Sequence, residues 1–415
     1  MSEEAIGYDA AHIQVLEGCE SFRRRPGMYV GSTGERGLHQ LLFEVAERAV
    51  NEVLAGRAGC VDVTLAPDGC VRVTDDGPGI PVEAAEGSDG PGLEALLTRT
   101  HAGTGPGGRR AVVMGLFGLG PCVTNALSSH LTAEVRREGV HWVQEYARGV
   151  ALAPPAAAGT TAGSGTTIAF RPDADIFTTA EFSFAVLEER FRELAFLNRG
   201  LSISLTDERP AGHRSRAVRF RFPAGARDFV AFLDTRAPEQ AQVHEQPREP
   251  LHPDVIGFER EARRMAGTVE VALRWCGSRE ERIRCFANSV PTPEGGTHAK
   301  GFRDGVAAAV TSYARLRRLL TAADPDLGTE QIGVGLTAVV SVKLDRPVFL
   351  SATNGVLGGA AVRACVADAV REHLGTWLEE HPEQAAAVVG RIVRSARRNR
   401  AAADRAHDSR SLPDT

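Results

Sequence analysis

VDVTLAPDGCVRVTDDGPGIP, residues 61–81, is the stretch whose reading decides the fold. Apolar and polar residues alternate on either side of Pro67-Asp68-Gly69, which predicts a hairpin of two strands closed by a turn. The second strand runs directly into Asp75-Asp76-Gly77-Pro78-Gly79-Ile80-Pro81. An aspartate followed by two spaced glycines lets the backbone approach a flat ring closely, while the carboxylate accepts a hydrogen bond from an exocyclic amine. The same residues also suit a plain turn, so the flanking segments must decide between the two.

Upstream, GLHQLLFEVAERAVNEVLAG (residues 37–56) carries apolar residues at Leu38, Leu41, Leu42, Val45, Ala49 and Val53. That spacing predicts an amphipathic helix closed by Gly56. Glu44, Glu47, Arg48, Asn51 and Glu52 ride on it, with Glu44 and Arg48 four apart on one face. A carboxylate so placed can orient a water as general base, or simply be a solvated charge. Downstream, HAGTGPGGRRAVVMGLFGLG (101–120) is longer than ordinary connections and reads as a functional loop. It ends in Gly115, Leu116, Gly118, Leu119 and Gly120 before an apolar helix. Glycine amides at a helix N-terminus form an anion site suited to phosphates, although three glycines alone are weak evidence.

Elsewhere the pattern is mixed. A short apolar-periodic segment at 12–24 stops at Pro26-Gly27. Strands are expected at 131–146 and 165–171 and a helix near 183–197. From about 220 a second αβ pattern begins, with strands at 268–276, 282–290 and 334–343 and helices at 302–320 and 359–379. The segments 151–166 and 237–253 are compositionally biased and read as loops. No internal repeat stands out.

The composition bounds the function. The chain has 415 residues, 43% hydrophobic and 24% charged, with 44 glycines, which suits two globular domains and a tail. No apolar run reaches the length needed to span a bilayer. The acidic start MSEEAIGYDAAH lacks a secretory-type apolar segment, so a cytoplasmic location is expected. Seven scattered cysteines offer neither a C-x-x-C pair nor a neighbouring His at ligand spacing. The net charge of −5 carries no nucleic-acid signature. RIVRSARRNRAAADRAHDSR (391–410) is basic; it suits a solvated helix end or a DNA or partner contact. Of 48 basic residues only Lys300 and Lys343 are lysines.

A glutamate on a helix, Asp-x-Gly-x-Gly after a strand and a glycine loop entering a helix resemble, in that order, the GHKL ATPase superfamily. YDAAHIQVLEGCESFRRRPGMYVGSTGERGLHQLLFEV (8–45) narrows the resemblance to the family of DNA gyrase B and its sister type IIA topoisomerase subunits. VHWVQEYARG (140–149), FLNRGLSISLTDER (196–209), EVALRW (270–275), RCFANSVPTPEGGTHAKGFRDGV (284–306) and GLTAVVSVKLDRPVFLSATN (335–354) extend it over most of the chain. The resemblance implies an α+β chain: a Bergerat-type ATP-binding α/β sandwich with an N-terminal dimerisation arm over 1–220, and a transducer domain with a left-handed βαβ fold over 221–392. A basic tail would occupy 393–415. It further implies ATP as cofactor, a homodimer formed on nucleotide binding with Tyr8 reaching across to the partner, and work alongside gyrase or topoisomerase subunits. DNA would be met through those subunits or the tail, with no membrane involved.

Carried over residue by residue, the resemblance assigns Glu44 as general base, Asp75 as the adenine-amine acceptor and Thr166 as its support. Gly77, Gly79, Ile80, Pro81, Gly118 and Gly120 match the pocket and phosphate positions. The phosphate half departs. Arg48 stands where the family has a magnesium-binding asparagine, and a guanidinium has no lone pair for a metal, which makes magnesium doubtful. Gly105 and Asn354 replace two phosphate-contacting lysines, and Phe117 replaces a histidine. Arg48 could instead lie against the phosphates and supply the missing charge, helped by Arg109 or Arg110. Pro78 and Val143 replace two arginines at the pocket mouth, which implies poor binding of aminocoumarin antibiotics.

Two functions are therefore expected of such a chain. One is a gyrase-type ATP-binding module with weak or no hydrolysis, lacking the strand-cleavage domain. The other is a non-catalytic paralogue that regulates or mimics gyrase or confers inhibitor resistance.

Overall fold

A computed structural model describes residues 19–83, 92–100, 112, 114, 119–209, 216–235, 249–351 and 354–410, with side chains to residue 400. The contacts divide it into two compact units. One is built mainly from residues up to Phe191 with Ser202–Phe220, the other from Arg192–Leu201 and the residues from Arg221 onward.

In the first unit the chain runs α1 (Cys19–Arg24), α2 (Gly27–Val30), α3 (Glu35–Leu54), β1 (Val61–Leu65), β2 (Val71–Asp75), α4 (Leu93–Thr98) and α5 (Pro121–Ala126). It continues as β3 (Ser128–Arg137), β4 (Val140–Ala147), β5 (Val150–Ala151), β6 (Ala156–Thr160), β7 (Gly165–Pro172), α6 (Phe184–Leu197, in this unit as far as Phe191), β8 (Ile203–Asp207) and β9 (Arg216–Phe220). One sheet holds the strands in the order β5-β4-β3-β7-β2-β1-β8-β9, with β6 added to β4. The predicted hairpin is present, antiparallel from Val61↔Asp75 to Leu65↔Val71. Val61, Val63, Leu65, Val71 and Val73 face inward, and Asp75 takes the next inward position of the same alternation. A carboxylate thus occupies a place the strand period reserves for an apolar side chain.

The stripe of α3 is buried as the periodicity requires: Leu38, Leu41, Leu42 and Val50 are fully covered and Val45, Ala49 and Val53 nearly so. Each such side chain contributes roughly 1.5–3 kcal/mol relative to exposure, so the helix is anchored by packing rather than by its propensity. Gly37 is required near its start, because a Cβ there would fall 1.8 Å from the Ser32 carbonyl oxygen.

The second unit contains α7 (Ala226–Thr235), β10 (Ile256–Ala262), β11 (Gly267–Trp275), β12 (Arg282–Ala287), β13 (Val290–Pro291), α8 (Thr297–Leu316), α9 (Thr329–Ile332), β14 (Leu336–Leu344), α10 (Ala360–Glu380) and α11 (Pro382–Arg410). Its sheet order is β10-β11-β14-β12-β13, with β12 and β14 parallel and joined through α8. Helices α8, α10 and α11 bury Phe302, Val306, Val310, Val366, Leu374, Val388 and Val389 in a core with the sheet residues Val269, Val271, Val340 and Val342.

Several elements differ from the sequence expectation. The strand-like stretch expected over 131–146 is divided between two strands that turn at Glu138-Gly139, both at positive φ. The alternation passes through a two-residue turn without proline, which hides the break. The segment 151–166, expected as a loop, contributes β5 and β6; every residue of β6 is exposed, so no apolar period marks it. Strand 282–290 stops at Ala287, where Asn288 and Ser289 adopt positive φ before β13. Helix α8 begins five residues earlier than expected, immediately after Gly296 at φ 133°. Beyond α10 the chain forms one further helix through Arg410, and Val393 and Ala396 are buried within the region read as a basic tail.

Candidate functional site

Asp75 ends β2 opposite Thr166 of β7, and strand register alone brings these two residues together. Asp75 Oδ1 accepts the Gly77 N–H at 3.1 Å, and Thr166 Oγ1 accepts the Ile80 N–H at 3.2 Å. The DDGPGIP turn is thereby fastened at both ends to the inward-facing polar groups of two adjacent strands. Gly79 has φ +78°, and a Cβ there would meet the Arg136 carbonyl oxygen at 2.7 Å. The turn therefore requires glycine for its own backbone, independently of any ligand. Arg137 Nη1 donates to the Gly79 carbonyl at 3.0 Å, a clamp the sequence did not reveal. Pro81 receives the Leu93 N–H at the start of α4. The paired aspartates divide their labour: Asp75 is buried, whereas exposed Asp76 accepts the Gly59 and Cys60 N–H groups and closes the entry to β1.

Helix α3 crosses this turn and carries the acidic groups. Glu44 is 1% exposed. Its Oε2 accepts the Gly120 N–H at 2.9 Å, while Oε1 is buried without a hydrogen-bond partner. One turn later Glu47 Oε2 accepts the Met114 N–H at 2.9 Å. Two carboxylates three residues apart thus hold both ends of the glycine segment, and Gly120, at φ +83°, then opens α5 with Pro121 in its first turn. The sequence reading assigned Glu47 no such role; its spacing from Glu44 was the available signal. Burial, with the neighbouring Glu47 charge, pushes the Glu44 carboxyl up to about 8, against the pull of the Gly120 N–H.

Arg48, which could lie against phosphates on the sequence alone, forms an ion pair with Asp75 Oδ2 in this structure. The physical reason is proximity to uncompensated buried charge: Asp75 is 2% exposed and Arg48, one turn beyond Glu44, is the cation within reach of it. Burial pushes the Asp75 carboxyl above its usual range, and the Arg48 charge and the Gly77 N–H oppose that shift. Arg48 also lowers Glu52, whose carboxyl Arg57 holds against the opposing effect of burial.

The described residues therefore assemble Asp75, Gly77, Gly79, Ile80, Gly120 and Thr166 about Glu44 and Arg48 in the interior of α3. Leu119 directly precedes Gly120 and accepts from the Cys122 thiol. Pro78 is exposed at the turn and Val143 is half-buried on β4. Tyr8, Gly105, Arg109, Arg110, Gly115, Leu116, Phe117 and Gly118 lie outside the described residues. Asn354 belongs to the second unit, in a left-handed turn at φ 56°.

Among the described residues no His, Cys, Asp and Glu cluster suits a metal, and no helix is long and apolar enough to cross a membrane.

Comparison with known proteins places both units. The family described as histidine kinase-, DNA gyrase B- and HSP90-like ATPase matches residues 33–176, and the family described as DNA gyrase B matches residues 225–408. The chain is 42% identical over 421 residues to the DNA gyrase B-subunit of Streptomyces coelicolor, covering 98% of this chain and 60% of that protein. It is 31% identical to the 43K ATPase domain of Thermus thermophilus gyrase B, solved in complex with an aminocoumarin. That likeness has a TM-score of 0.76 and covers 94% of this chain and 97% of that one. The B-subunit of DNA gyrase from Myxococcus xanthus matches at 25% identity and TM-score 0.72, covering 89% and 98% of the two chains. The chain spans about 60% of the length of the curated relatives it matches.

Proposed function

This chain belongs to the DNA gyrase B family, matching its ATPase and transducer portion, and from that premise we propose that it binds ATP and hydrolyses it weakly or not at all. The observation that carries the binding half is the meeting of Asp75, Gly77, Ile80 and Thr166 where β2 ends beside β7. A buried carboxylate beside a glycine turn has the donor and acceptor chemistry to recognise the amine edge of a purine.

Three features support weak turnover. Burial pushes the Glu44 carboxyl, at the general-base position, up to about 8, which disfavours the ionised form that a base needs in order to accept a proton. The magnesium position is taken by Arg48, which offers a charge but no oxygen ligand. Gly120, expected to donate to phosphate, donates to Glu44 instead, so an incoming phosphate must displace a carboxyl group to use that amide. On this reading magnesium plays little part in nucleotide affinity.

A second reading follows from the same Arg48–Asp75 pair. The chain would be a non-catalytic paralogue that keeps the fold and a dimer surface while regulating or mimicking gyrase. Both readings have it working as a homodimer beside topoisomerase subunits, closed by nucleotide on the first reading, with DNA met through those subunits or the arginine-rich end of α11.

Isothermal titration with a non-hydrolysable ATP analogue, with magnesium and with EDTA, followed by a phosphate-release assay on the same sample, tests the proposal. The expected result is binding that persists in EDTA, with release at the background level near pH 7. Magnesium-dependent binding with rapid release would overturn it, and binding of no nucleotide at all would leave the second reading.

A further inference from the structure

We propose that Arg48 is a built-in occupant of the base-recognition site: its guanidinium holds the position on Asp75 that a purine's exocyclic amine would take, so a nucleotide enters only when this pair opens. The proposal rests on the nucleotide-binding reading above and deepens it into a regulation of the same site.

Both oxygens of the carboxylate already accept a hydrogen bond. Oδ1 is committed to the Gly77 N–H and Oδ2 to Arg48, and the Asp75 side chain is 2% exposed. Arg48 is the more exposed partner, at 16%, so it is the movable half of the pair. Asp75 is held by strand pairing on both sides, to Val61 of β1 and Thr166 of β7, and cannot turn away from its position. Arg48 has a long flexible stem on the surface of α3, with Glu52 one turn further along as an alternative carboxylate partner.

A guanidinium and an exocyclic amine are both hydrogen-bond donors, and both need the acceptor that Asp75 presents. They compete at Oδ2, where the Arg48 guanidinium covers the position from which an amine would donate. An asparagine at position 48 is uncharged and could offer Asp75 only a neutral amide hydrogen bond, weaker than the ion pair. When a binding-competent form is only a fraction of the population, apparent affinity falls by that fraction; a pair closed in nine molecules of ten weakens binding about tenfold.

The test is titration of the full chain and of the Arg48→Ala and Arg48→Asn variants with a non-hydrolysable ATP analogue in EDTA, so that a restored magnesium ligand contributes nothing. Thermal melts of all three establish that each is folded. Should Arg48→Ala fail to fold because Asp75 is left unpaired, Arg48→Asn, whose amide can donate to Asp75, carries the measurement. Both variants are expected to bind about tenfold more tightly than the parent, with the gain arising in the association of the base rather than in phosphate contacts. Adenosine, which has no phosphate, should show the same ranking. Equal or weaker binding by the variants, with the parent binding well, overturns the proposal while leaving the nucleotide reading intact. Failure of parent and variants alike to bind either probe overturns the nucleotide reading, and this proposal with it.

Discussion

Glu44 shows what a single buried carboxyl does to this protein. It lies 1% exposed with one oxygen on the Gly120 amide and the other unpartnered, and burial raises its pKa from 4.5 to about 8. Between those two values the folded protein holds a proton that the unfolded chain releases. Stability therefore falls as pH rises through this window, at up to about 1.4 kcal/mol for each pH unit. Glu44→Gln cannot ionise, so its melting temperature should match the parent's near pH 5 and exceed it at pH 8.5; parallel curves would show that Glu44 is already ionised at neutrality. The periodicity of α3 reveals Glu44 and Arg48 as neighbours, but not that one would lie in a closed environment and the other against Asp75. Those outcomes depend on what β2 and the glycine segment bring to the helix.

At the scale of elements, the second unit depends on how closely its helices approach. Gly301 and Gly305 lie one turn apart on α8, where added Cβ atoms would come within 2.3 Å of the Arg363 carbonyl oxygen and 2.6 Å of the Ala367 carbonyl oxygen of α10. The two helices touch backbone to backbone there, and a methyl group must push them apart. Gly301→Ala is expected to destabilise by about 2–3 kcal/mol in urea unfolding. Gly375, in the middle of α10, has no atom within 4 Å of its added Cβ, and Gly375→Ala should stabilise by about 0.5–1 kcal/mol through helix propensity alone. If both substitutions gave the same sign, the close approach of α8 and α10 would be wrong. In the sequence these glycines are indistinguishable, since each sits in an apolar-periodic run; only the partner helix separates them.

For the whole molecule, one buried group in each unit titrates in the opposite sense to the other. His298, fully buried in the second unit with Nε2 at 3.1 Å from Thr292 Oγ1, is pushed down to about 4 by burial. Between about 6.5 and 4 the unfolded chain takes up a proton that folded His298 refuses, so stability there is lost as pH falls, whereas Glu44 in the first unit costs stability as pH rises. Scanning calorimetry should resolve components that respond differently, one lowered between pH 6 and 8.5 and raised again by Glu44→Gln, the other lowered between pH 6.5 and 4.5. A single transition that shifts uniformly would contradict this. The sequence by itself determined the hairpin into DDGPGIP, the helix bearing Glu44, the two αβ patterns and the family, because strand period, helix period and glycine spacing are local properties. It did not disclose β6, whose residues are all exposed, or the burial of Val393 and Ala396 in a stretch rich in arginine. Only the tertiary structure decided the direction of the Arg48 charge and the protonation of Glu44. An ion pair and a desolvated carboxyl are set by distances between segments far apart in the chain, which no local pattern encodes.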